Sequence, residues 1–202
     1  MNHNILKQSL FKRVMKIITL KDLGKDKNLK KEIKKAIEDG KIFIYPTDTI
    51  YGIGCNAQNE KAVKKIREIK KRDEKPFSVI APSKKGIKEN FIIDKKTEED
   101  VKKYLPGPYT PLLKKKNPSF FQWISSNERI GIRIPKHDFT EIIKKNEIPF
   151  VITSVNLSGE PFAKSIKEVK KEILDKVEYI IEAGELNGSP STLIIDGVEI
   201  KR

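Results

Sequence analysis

The sequence predicts an α/β fold in a single domain, with about seven strands and five helices. A length of 202 residues fits one ordinary domain and leaves little room for two separate cores. Apolar residues make up 37% of the chain, enough to fill one core, so the 35% of charged residues describe a solvated surface. Buried strand patterns alternate with amphipathic helix patterns, and this alternation favours a layered α/β architecture.

The N-terminal half alternates between strand and helix patterns. The segment 15–20 (MKIITL) predicts an opening strand, and Asn28 is placed to cap the amphipathic helix that follows. The apolar segment 42–45 predicts a buried strand. A second amphipathic helix begins near Asn59, and the segment 77–80 predicts the next strand.

The C-terminal half continues the same alternation. A helix is predicted near 97–104, and the segment 105–108 (LPGP) must turn because its prolines cannot continue a helix. Isoleucines alternate over 130–134, which predicts a strand whose opposite side carries Arg133. The remaining strands are predicted at 150–153, 177–181 and 192–196.

Two capping-box patterns predict the last two helices. Asp138 is followed three residues later by Glu141, and Ser165 by Glu168. In each case the pattern precedes an apolar stripe with helical spacing, as expected at a helix N-terminus.

The excess of basic residues is concentrated in two parts of the chain. The formal net charge is +14, and residues 1–41 and 61–88 contribute +7 and +8, whereas the rest sums to −1. This asymmetry favours an anionic partner, although lysines on exposed helix faces would give the same count. With 36 Lys and 6 Arg, the arginines carry more information, because a guanidinium binds phosphate or carboxylate in a fixed geometry.

Several classes of protein are disfavoured by the sequence. Its apolar runs are far shorter than the roughly 20 residues of a membrane span. The single cysteine, Cys55, excludes an intramolecular disulfide and fits a reducing compartment. The two histidines, His3 and His137, offer little for a histidine-dependent hydrolase. The segment 52–57 matches G-x-G-x-x-A, but we interpret it as a coincidence because six residues separate it from the preceding strand.

Polar residues cluster where predicted strands end. Those that follow a strand are Thr47, Asp48, Thr49, Ser154 and Asn156. Nearby cations are Lys70, Arg72, Lys75 and Arg133. Ligands of open α/β sheets bind at such ends. The pattern predicts an anion-binding cleft with no protein nucleophile, in which chemistry proceeds by positioning and charge stabilisation.

At these residues the sequence closely resembles the YrdC-like family of threonylcarbamoyl-AMP synthases. The matching motifs, in family order, are YPTDTIYGIGCNA (45–57), IKKRDEKPFSVI (69–80), LPGPYT (105–110), IGIRIP (130–135), ITSVNLSGEP (152–161) and SPSTLIID (189–196). The resemblance implies one YrdC-like domain over residues 15–202, an open twisted sheet of mixed strands with flanking helices and a concave basic cleft. Residues 1–14 are interpreted as a basic N-terminal extension, with disorder as one alternative.

The resemblance also implies a nucleotidyltransferase activity. ATP, L-threonine and bicarbonate or CO2 would give L-threonylcarbamoyl-AMP and pyrophosphate, which supplies the threonylcarbamoyladenosine modification of tRNA. Mg2+ is expected to arrive with ATP, without a metal site of the protein's own. A tRNA threonylcarbamoyltransferase is the expected downstream partner, the expected location is the cytoplasm, and no membrane is involved.

The resemblance assigns site residues position by position. The family's K-x-R signature falls on Lys70 and Arg72, and its S-x-N signature on Ser154 and Asn156. The implied ATP-binding residues are Lys70, Arg72, Lys75, Asn156, Ser165 and Arg202. The implied threonine-binding residues are Thr49, Arg133, Ser154 and Ser191. For each of them an ordinary structural role, such as a helix end, a cap or a turn, is the alternative.

Three departures from the family pattern leave questions open. The segment 72–76 is one residue shorter than the common spacing, so either Glu74 or Lys75 could reach ATP. Ile80 stands where many relatives have a histidine near threonine, so that contact is missing or supplied elsewhere. Arg129 stands where relatives often have a small hydroxyl residue, which leaves its role open.

A function of a different class is also compatible with the charge. A concave basic cleft of this kind also suits double-stranded RNA or tRNA, which the protein would bind without catalysis. Binding of that kind would weaken steeply with salt and would not depend on nucleotide.

Overall fold

The computed structural model describes residues 15–202, so the predicted extension 1–14 lies outside the described residues. The strands are β1 (Lys16–Thr19), β2 (Phe43–Tyr45), β3 (Gly52–Gly54), β4 (Ser78–Ile80), β5 (Tyr109–Lys114), β6 (Arg129–Arg133), β7 (Phe150–Ser154), β8 (Tyr179–Glu182), β9 (Thr192–Ile195) and β10 (Val198–Ile200). The α-helices are α1 (Leu20–Lys25), α2 (Lys27–Glu38), α3 (Glu60–Lys70), α4 (Lys84–Asn90), α5 (Lys95–Tyr104), α6 (Asp138–Lys145) and α7 (Lys171–Leu174). A short 3-10 helix covers Ile166–Glu168.

The ten strands of the described chain form one mixed sheet. Its order is β1-β8-β2-β3-β7-β4-β6-β5-β9-β10. The parallel neighbours are β1 with β8, β2 with β8, β4 with β6, and β5 with β9. The predicted α/β class with a mixed sheet is confirmed, but the predicted count of about seven strands is too low by three.

The three strands that the sequence pattern did not predict are β3, β5 and β10. In β3, a Cβ on Gly54 would lie 1.9 Å from the carbonyl oxygen of Val151, so the close approach of β7 requires glycine. Pro111 lies within β5, and a proline argues against a strand interior. The residues of β10 are all exposed, so they show no buried pattern. Because Gly52–Gly54 is a strand, the G-x-G-x-x-A match does not form a turn into a helix, which agrees with its interpretation as a coincidence.

Helix starts were predicted in the right regions, but three caps differ. Asp26, not Asn28, caps α2 by accepting from the backbone N–H groups of Asn28 and Leu29. His137, not Asp138, caps α6 through Nδ1. Ser165 precedes the 3-10 helix without capping it. The described chain also contains α1 and α4, which were not predicted.

The sheet buries a different apolar cluster on each face. Side chains alternate along β4, so Val79 packs with α3, α4, α5 and α7, whereas Ile80 packs with α1, α2 and α6 on the other face. Ser78, which shares the face of Ile80, lines an open cleft. The helices therefore leave part of this second face uncovered, and the candidate site lies there.

Within residues 15–202 no helix has the length and apolar character needed to cross a bilayer.

Candidate active site

A cleft of about 290 Å³ opens on the uncovered part of the sheet. Seven serine and threonine side chains line it: Thr47, Thr49, Ser78, Thr110, Thr153, Ser154 and Ser191. Its cations are Arg72, Arg133 and Arg202, and the carboxylate among its lining residues is Glu160. Strand ends and the loops after them supply most of these groups, as the sequence predicted for an anion-binding cleft.

Arg133 ends β6 and is 4% exposed. Its Nη2 donates to Asp48 Oδ1, and its Nη1 donates to Thr49 Oγ1 over 3.2 Å. Its Nε has no hydrogen-bond partner within residues 15–202. Burial lowers the pKa of this guanidinium, whereas the charge of Asp48 raises it. Asp48 and Thr49 therefore each accept from one terminal nitrogen of Arg133, and the Nε–H is among the donors that remain for a ligand.

The turn after β2 is fixed by a chain of hydroxyl groups. Thr47 Oγ1 donates to the carbonyl oxygen of Ile50 over 2.7 Å. The hydroxyl groups of Thr47 and Thr49 lie 2.8 Å apart. Because the Thr47 hydroxyl already donates its proton to the Ile50 carbonyl oxygen, the Thr49 hydroxyl must donate to Thr47 Oγ1. Thr49 Oγ1 in turn accepts from Arg133. These hydrogen bonds place Thr49 next to Arg133, the two residues of this turn and strand for which the family resemblance implied threonine binding.

Arg72 lies at the other end of the cleft, beyond α3. Its Nη2 donates to the carbonyl oxygen of Pro76 over 2.6 Å, and its Nη1 lies 3.5 Å from Thr153 Oγ1. The guanidinium also lies over the ring of Phe77, 5.1 Å from its centroid. Burial lowers the pKa of Arg72, and the positive charges of Arg67 and Arg202 lower it further. The side chain is therefore held in place, and no acidic side chain of the described residues pairs with its charge.

Arg67 positions the loop that carries Arg72, and sequence reasoning missed it. Its Nη1 donates to the carbonyl oxygens of Asp73 and Lys75, over 2.6 and 3.0 Å. Its Nη2 donates to the carbonyl oxygens of Trp123 and Ile124. In the sequence Arg67 looks like one more cation on an amphipathic helix. The available signal was its residue type, because arginine is scarce in this sequence, with 6 Arg against 36 Lys.

Arg202 and Ser191 form a third group on the cleft wall. Arg202 Nη2 donates to Ser191 Oγ over 2.6 Å, and its Nε donates to the Ser191 carbonyl oxygen. Ser191 Oγ lies 2.7 Å from Thr110 Oγ1, a residue that sequence reasoning did not select. Burial and the nearby charge of Arg133 lower the pKa of Arg202. Arg202 is thus close enough to Arg72 and to Arg133 for like-charge repulsion with each, which favours an anionic ligand.

Lys70 lies behind the cleft wall and is not among its lining residues. Its side chain is buried, 1% exposed, and Nζ donates to the carbonyl oxygens of Ser154 and Asn156 and to Asn156 Oδ1. Burial lowers the pKa of Lys70 to about 7. In this structure Lys70 holds the 154–156 loop, whereas the resemblance implied that it binds phosphate.

The loop held by Lys70 presents Ser154 and Asn156 to the cleft. Ser154 Oγ donates to Asn156 Oδ1 over 2.5 Å, and Asn156 Nδ2 donates to the Glu160 carbonyl oxygen. Glu160 itself lines the cleft and accepts from Lys170 at Oε1. Sequence reasoning did not select Glu160, because an acidic residue after a glycine in a loop gives no local signal.

Two of the sequence-selected residues lie outside the cleft wall. The Lys75 side chain is exposed, and its carbonyl oxygen accepts from Arg72 Nε. Ser165 is half-buried, and its hydroxyl donates to Glu168 Oε1. The structure therefore brings together Thr49, Arg72, Arg133, Ser154, Asn156, Ser191 and Arg202, and leaves Lys70, Lys75 and Ser165 at the periphery.

Comparisons with known proteins match the chain to a family model and to named relatives. The family model for Sua5, YciO and YrdC proteins, described as Telomere recombination, matches residues 35–201. A Methanocaldococcus jannaschii protein named "Putative threonylcarbamoyl-AMP synthase" is 40% identical over 183 residues, covering 89% of this chain and 86% of that protein. A threonylcarbamoyl-AMP synthase of Pyrococcus abyssi is 31% identical over 169 residues, covering 81% of this chain and 49% of that protein.

A solved structure extends the likeness to the fold. The crystal structure of Pyrococcus abyssi Sua5 complexed with L-threonine has a TM-score of 0.78 to this chain at 29% identity. The match covers 90% of this chain and 54% of the Pyrococcus chain. This chain thus spans about half the length of the Pyrococcus protein and most of the length of the Methanocaldococcus protein.

Proposed function

The chain belongs to the Sua5, YciO and YrdC family, and we propose that it is a threonylcarbamoyl-AMP synthase that condenses ATP, L-threonine and bicarbonate. The observation that carries the proposal is the convergence of Arg72, Arg133 and Arg202 on a cleft lined with hydroxyl and amide groups. Two of the three substrates are anions and the third carries a carboxylate, so this excess of positive charge suits them. The names of the two relatives described above refer to the same activity.

The chemistry needs alignment more than it needs a reactive side chain. The threonine amine adds to the carbon of CO2, supplied directly or by dehydration of bicarbonate, and loses a proton to give a carbamate. A carbamate oxygen then attacks the α-phosphorus of ATP. The bond from that phosphorus to the bridging oxygen breaks, and pyrophosphate leaves with the electron pair. The protein contributes by holding three reactants in line and by stabilising negative charge.

We place L-threonine at the Arg133 end of the cleft. The unpartnered Nε of Arg133 is a buried donor available to its carboxylate. Thr49 lies in contact with Arg133, and Ser154 and Ser191 line the same cleft. A crystal structure of a relative contains L-threonine, which supports the amino acid as a substrate here.

We place the ATP phosphates at the Arg72 and Arg202 end. Each guanidinium has its pKa lowered by burial and by another arginine, so a polyphosphate would relieve the repulsion between them. Asn156 lines the cleft nearby. Lys75 is exposed and takes part in no ion pair within the described chain, which leaves it free to reach a phosphate. Ser165 would first have to release Glu168.

We propose that Mg2+ enters with ATP. Among residues 15–202 no three His, Cys, Asp or Glu side chains group together as a metal site. Glu160, the carboxylate among the cleft-lining residues of the described chain, is placed to assist. One carboxylate is too few to hold Mg2+ by itself, so the ion would be held chiefly by the substrate phosphates. There it would neutralise part of their negative charge.

Pyrophosphate release tests the proposed function. The full chain, ATP, threonine, bicarbonate and Mg2+ are incubated together, and each substrate is then omitted in turn. We expect release of pyrophosphate that requires both threonine and bicarbonate, and threonylcarbamoyl-AMP as the product by mass spectrometry. Equal release without threonine would refute the assignment.

The labile product requires an acceptor, and we propose a tRNA threonylcarbamoyltransferase in the cytoplasm. Exposed lysines such as Lys71, Lys75 and Lys164 lie in segments beside the cleft, so direct binding of tRNA or double-stranded RNA is a second candidate function. Competition separates the two. RNA that displaces ATP would share the cleft, whereas RNA binding unaffected by ATP would use another surface.

A further inference from the structure

Ser78 differs from the other hydroxyl residues of the cleft. Of the seven serine and threonine side chains that line it, six hydrogen-bond within the protein: Thr47, Thr49, Thr110, Thr153, Ser154 and Ser191. The Ser78 hydroxyl makes no hydrogen bond within the described chain. It is half-buried and open to the cleft, so both its donor and its acceptor capacity remain available.

The residue opposite Ser78 keeps space open in front of this hydroxyl. Gly131 of β6 is its register partner. A Cβ on Gly131 would lie 2.4 Å from Ser78 Oγ and 2.8 Å from the Thr110 Cγ2 methyl group. Without a side chain at 131, the Ser78 hydroxyl and the Thr110 methyl group converge over the same patch of the cleft floor. Ile152, the partner of Ser78 on β7, also lines the cleft.

A hydroxyl group beside two apolar groups matches the side chain of threonine, whose β-carbon carries one hydroxyl and one methyl. Arg133 lies two residues beyond Gly131 on the same face of β6, which separates the two levels by about 6.6 Å along the strand. A molecule of the size of an amino acid can span this separation between its hydrogen-bonding groups. The carboxylate would then meet Arg133 while the side chain meets Ser78.

We propose that the Ser78 hydroxyl binds the side-chain hydroxyl of L-threonine and thereby selects this amino acid over analogues that lack it. The proposal rests on the proposed function. The anionic parts of the substrates have arginines to bind them, whereas a neutral hydroxyl requires a partner that both donates and accepts. β4 offers no other polar group to the cleft, because Ile80, the next residue on this face, is fully buried in the apolar cluster.

The test compares two amino acids in two proteins. Threonine and 2-aminobutyrate differ by the hydroxyl group alone, and kcat/KM is measured for each from pyrophosphate release. We expect Ser78→Ala to lower kcat/KM for threonine about tenfold, which is the loss of one hydrogen bond, and to change kcat/KM for 2-aminobutyrate less than about twofold. Ser78→Thr, which keeps the hydroxyl, should retain most of the selectivity.

Ser119→Ala is the matched control, because Ser119 is exposed outside the cleft. It should leave both values unchanged. An equal loss for both amino acids in Ser78→Ala, or no loss for either, overturns the assignment of Ser78. Failure of the wild-type protein to release pyrophosphate with threonine would instead overturn the proposed function, so the two failures are distinguishable.

Discussion

Two buried cations lie at the two ends of the candidate site, and their charges are stabilised by different kinds of partner. Arg133 is 4% exposed and pairs with the carboxylate of Asp48. Lys70 is 1% exposed, and its ammonium group contacts three oxygens of the 154–156 loop, none of them from a carboxylate. The Arg133 end therefore contains an ion pair, and the Lys70 end contains a cation solvated by the protein's own carbonyl and amide groups.

This difference separates a group with donors left for a ligand from a group whose donors are all used within the protein. A guanidinium has five N–H donors, and those of Arg133 include an Nε without a partner, so it can bind Asp48 and a substrate together. An ammonium has three N–H donors, and those of Lys70 all have acceptors within the protein. The K-x-R signature thus contains one scaffold residue, Lys70, and one residue that lines the cleft, Arg72.

Removal of Arg133 should produce the largest effect, because it removes the proposed threonine contact and leaves Asp48 buried without its partner. We expect Arg133→Ala to lower kcat/KM for threonine on the order of a hundredfold and to lower the free energy of unfolding by about 3–5 kcal/mol. Pyrophosphate release and urea denaturation measure the two quantities.

Arg129→Ala is the matched control, since Arg129 lies four residues earlier on β6 and pairs with Asp196 at the surface. It should keep its activity and lose less than about 1 kcal/mol of stability. An Arg133→Ala variant that resembles this control would remove Arg133 from the site.

Arg72 sharpens the comparison, because it lines the cleft but has no carboxylate partner. We expect Arg72→Ala to lower kcat/KM at least tenfold, or about 1.4 kcal/mol of transition-state stabilisation, chiefly through a higher KM for ATP. Its stability should change less than that of Arg133→Ala, because no buried charge is left behind. A rise in the KM for threonine alone would place Arg72 at the wrong end of the cleft.

The comparison also shows what the sequence could and could not predict. The family motifs selected Arg133, Arg72 and Lys70, because each stands at a recognisable position near a strand or helix end. They did not distinguish the role of Lys70, because its acceptors lie 84 and 86 residues away along the chain. Arg67 was missed for the same reason, since its acceptors at Trp123 and Ile124 are set by the fold.

The fold was predicted in class but not in full, for local reasons. Strands with a buried alternating pattern, such as β6, were found from their sequence. The strand β3 was missed because it consists of two glycines around one isoleucine, and its pairing depends on the neighbouring strands β2 and β7. The caps at Asp26 and His137 each lie one or two residues before the predicted ones, since several polar residues in a row can cap a helix.

Replacement of Lys70 tests whether it belongs to the scaffold. We expect Lys70→Met to lower stability by roughly 1–3 kcal/mol, because buried acceptors lose their donor. Activity should fall severalfold through displacement of Ser154 and Asn156, and less than in Arg72→Ala. Lys61→Met, an exposed change on the same helix, is the control and should alter neither quantity. A Lys70→Met variant with intact stability and a large rise in the KM for ATP would show that Lys70 binds phosphate directly.

The last expected effect is a dependence of stability on pH that belongs to Lys70 alone. Burial lowers its pKa from 10.5 to about 7 in the folded protein. The unfolded chain keeps the ordinary pKa, so it binds more protons than the folded chain between these two values. The free energy of unfolding of the wild type, measured relative to Lys70→Met, should therefore rise as the pH increases through this window and fall as the pH drops back to about 7. Urea denaturation of both proteins below, within and near the top of the window measures the difference. A difference that stays constant with pH would mean that the three oxygens keep Lys70 protonated throughout this window. The Lys70 end of the site would then carry a permanent positive charge, as the Arg133 end does.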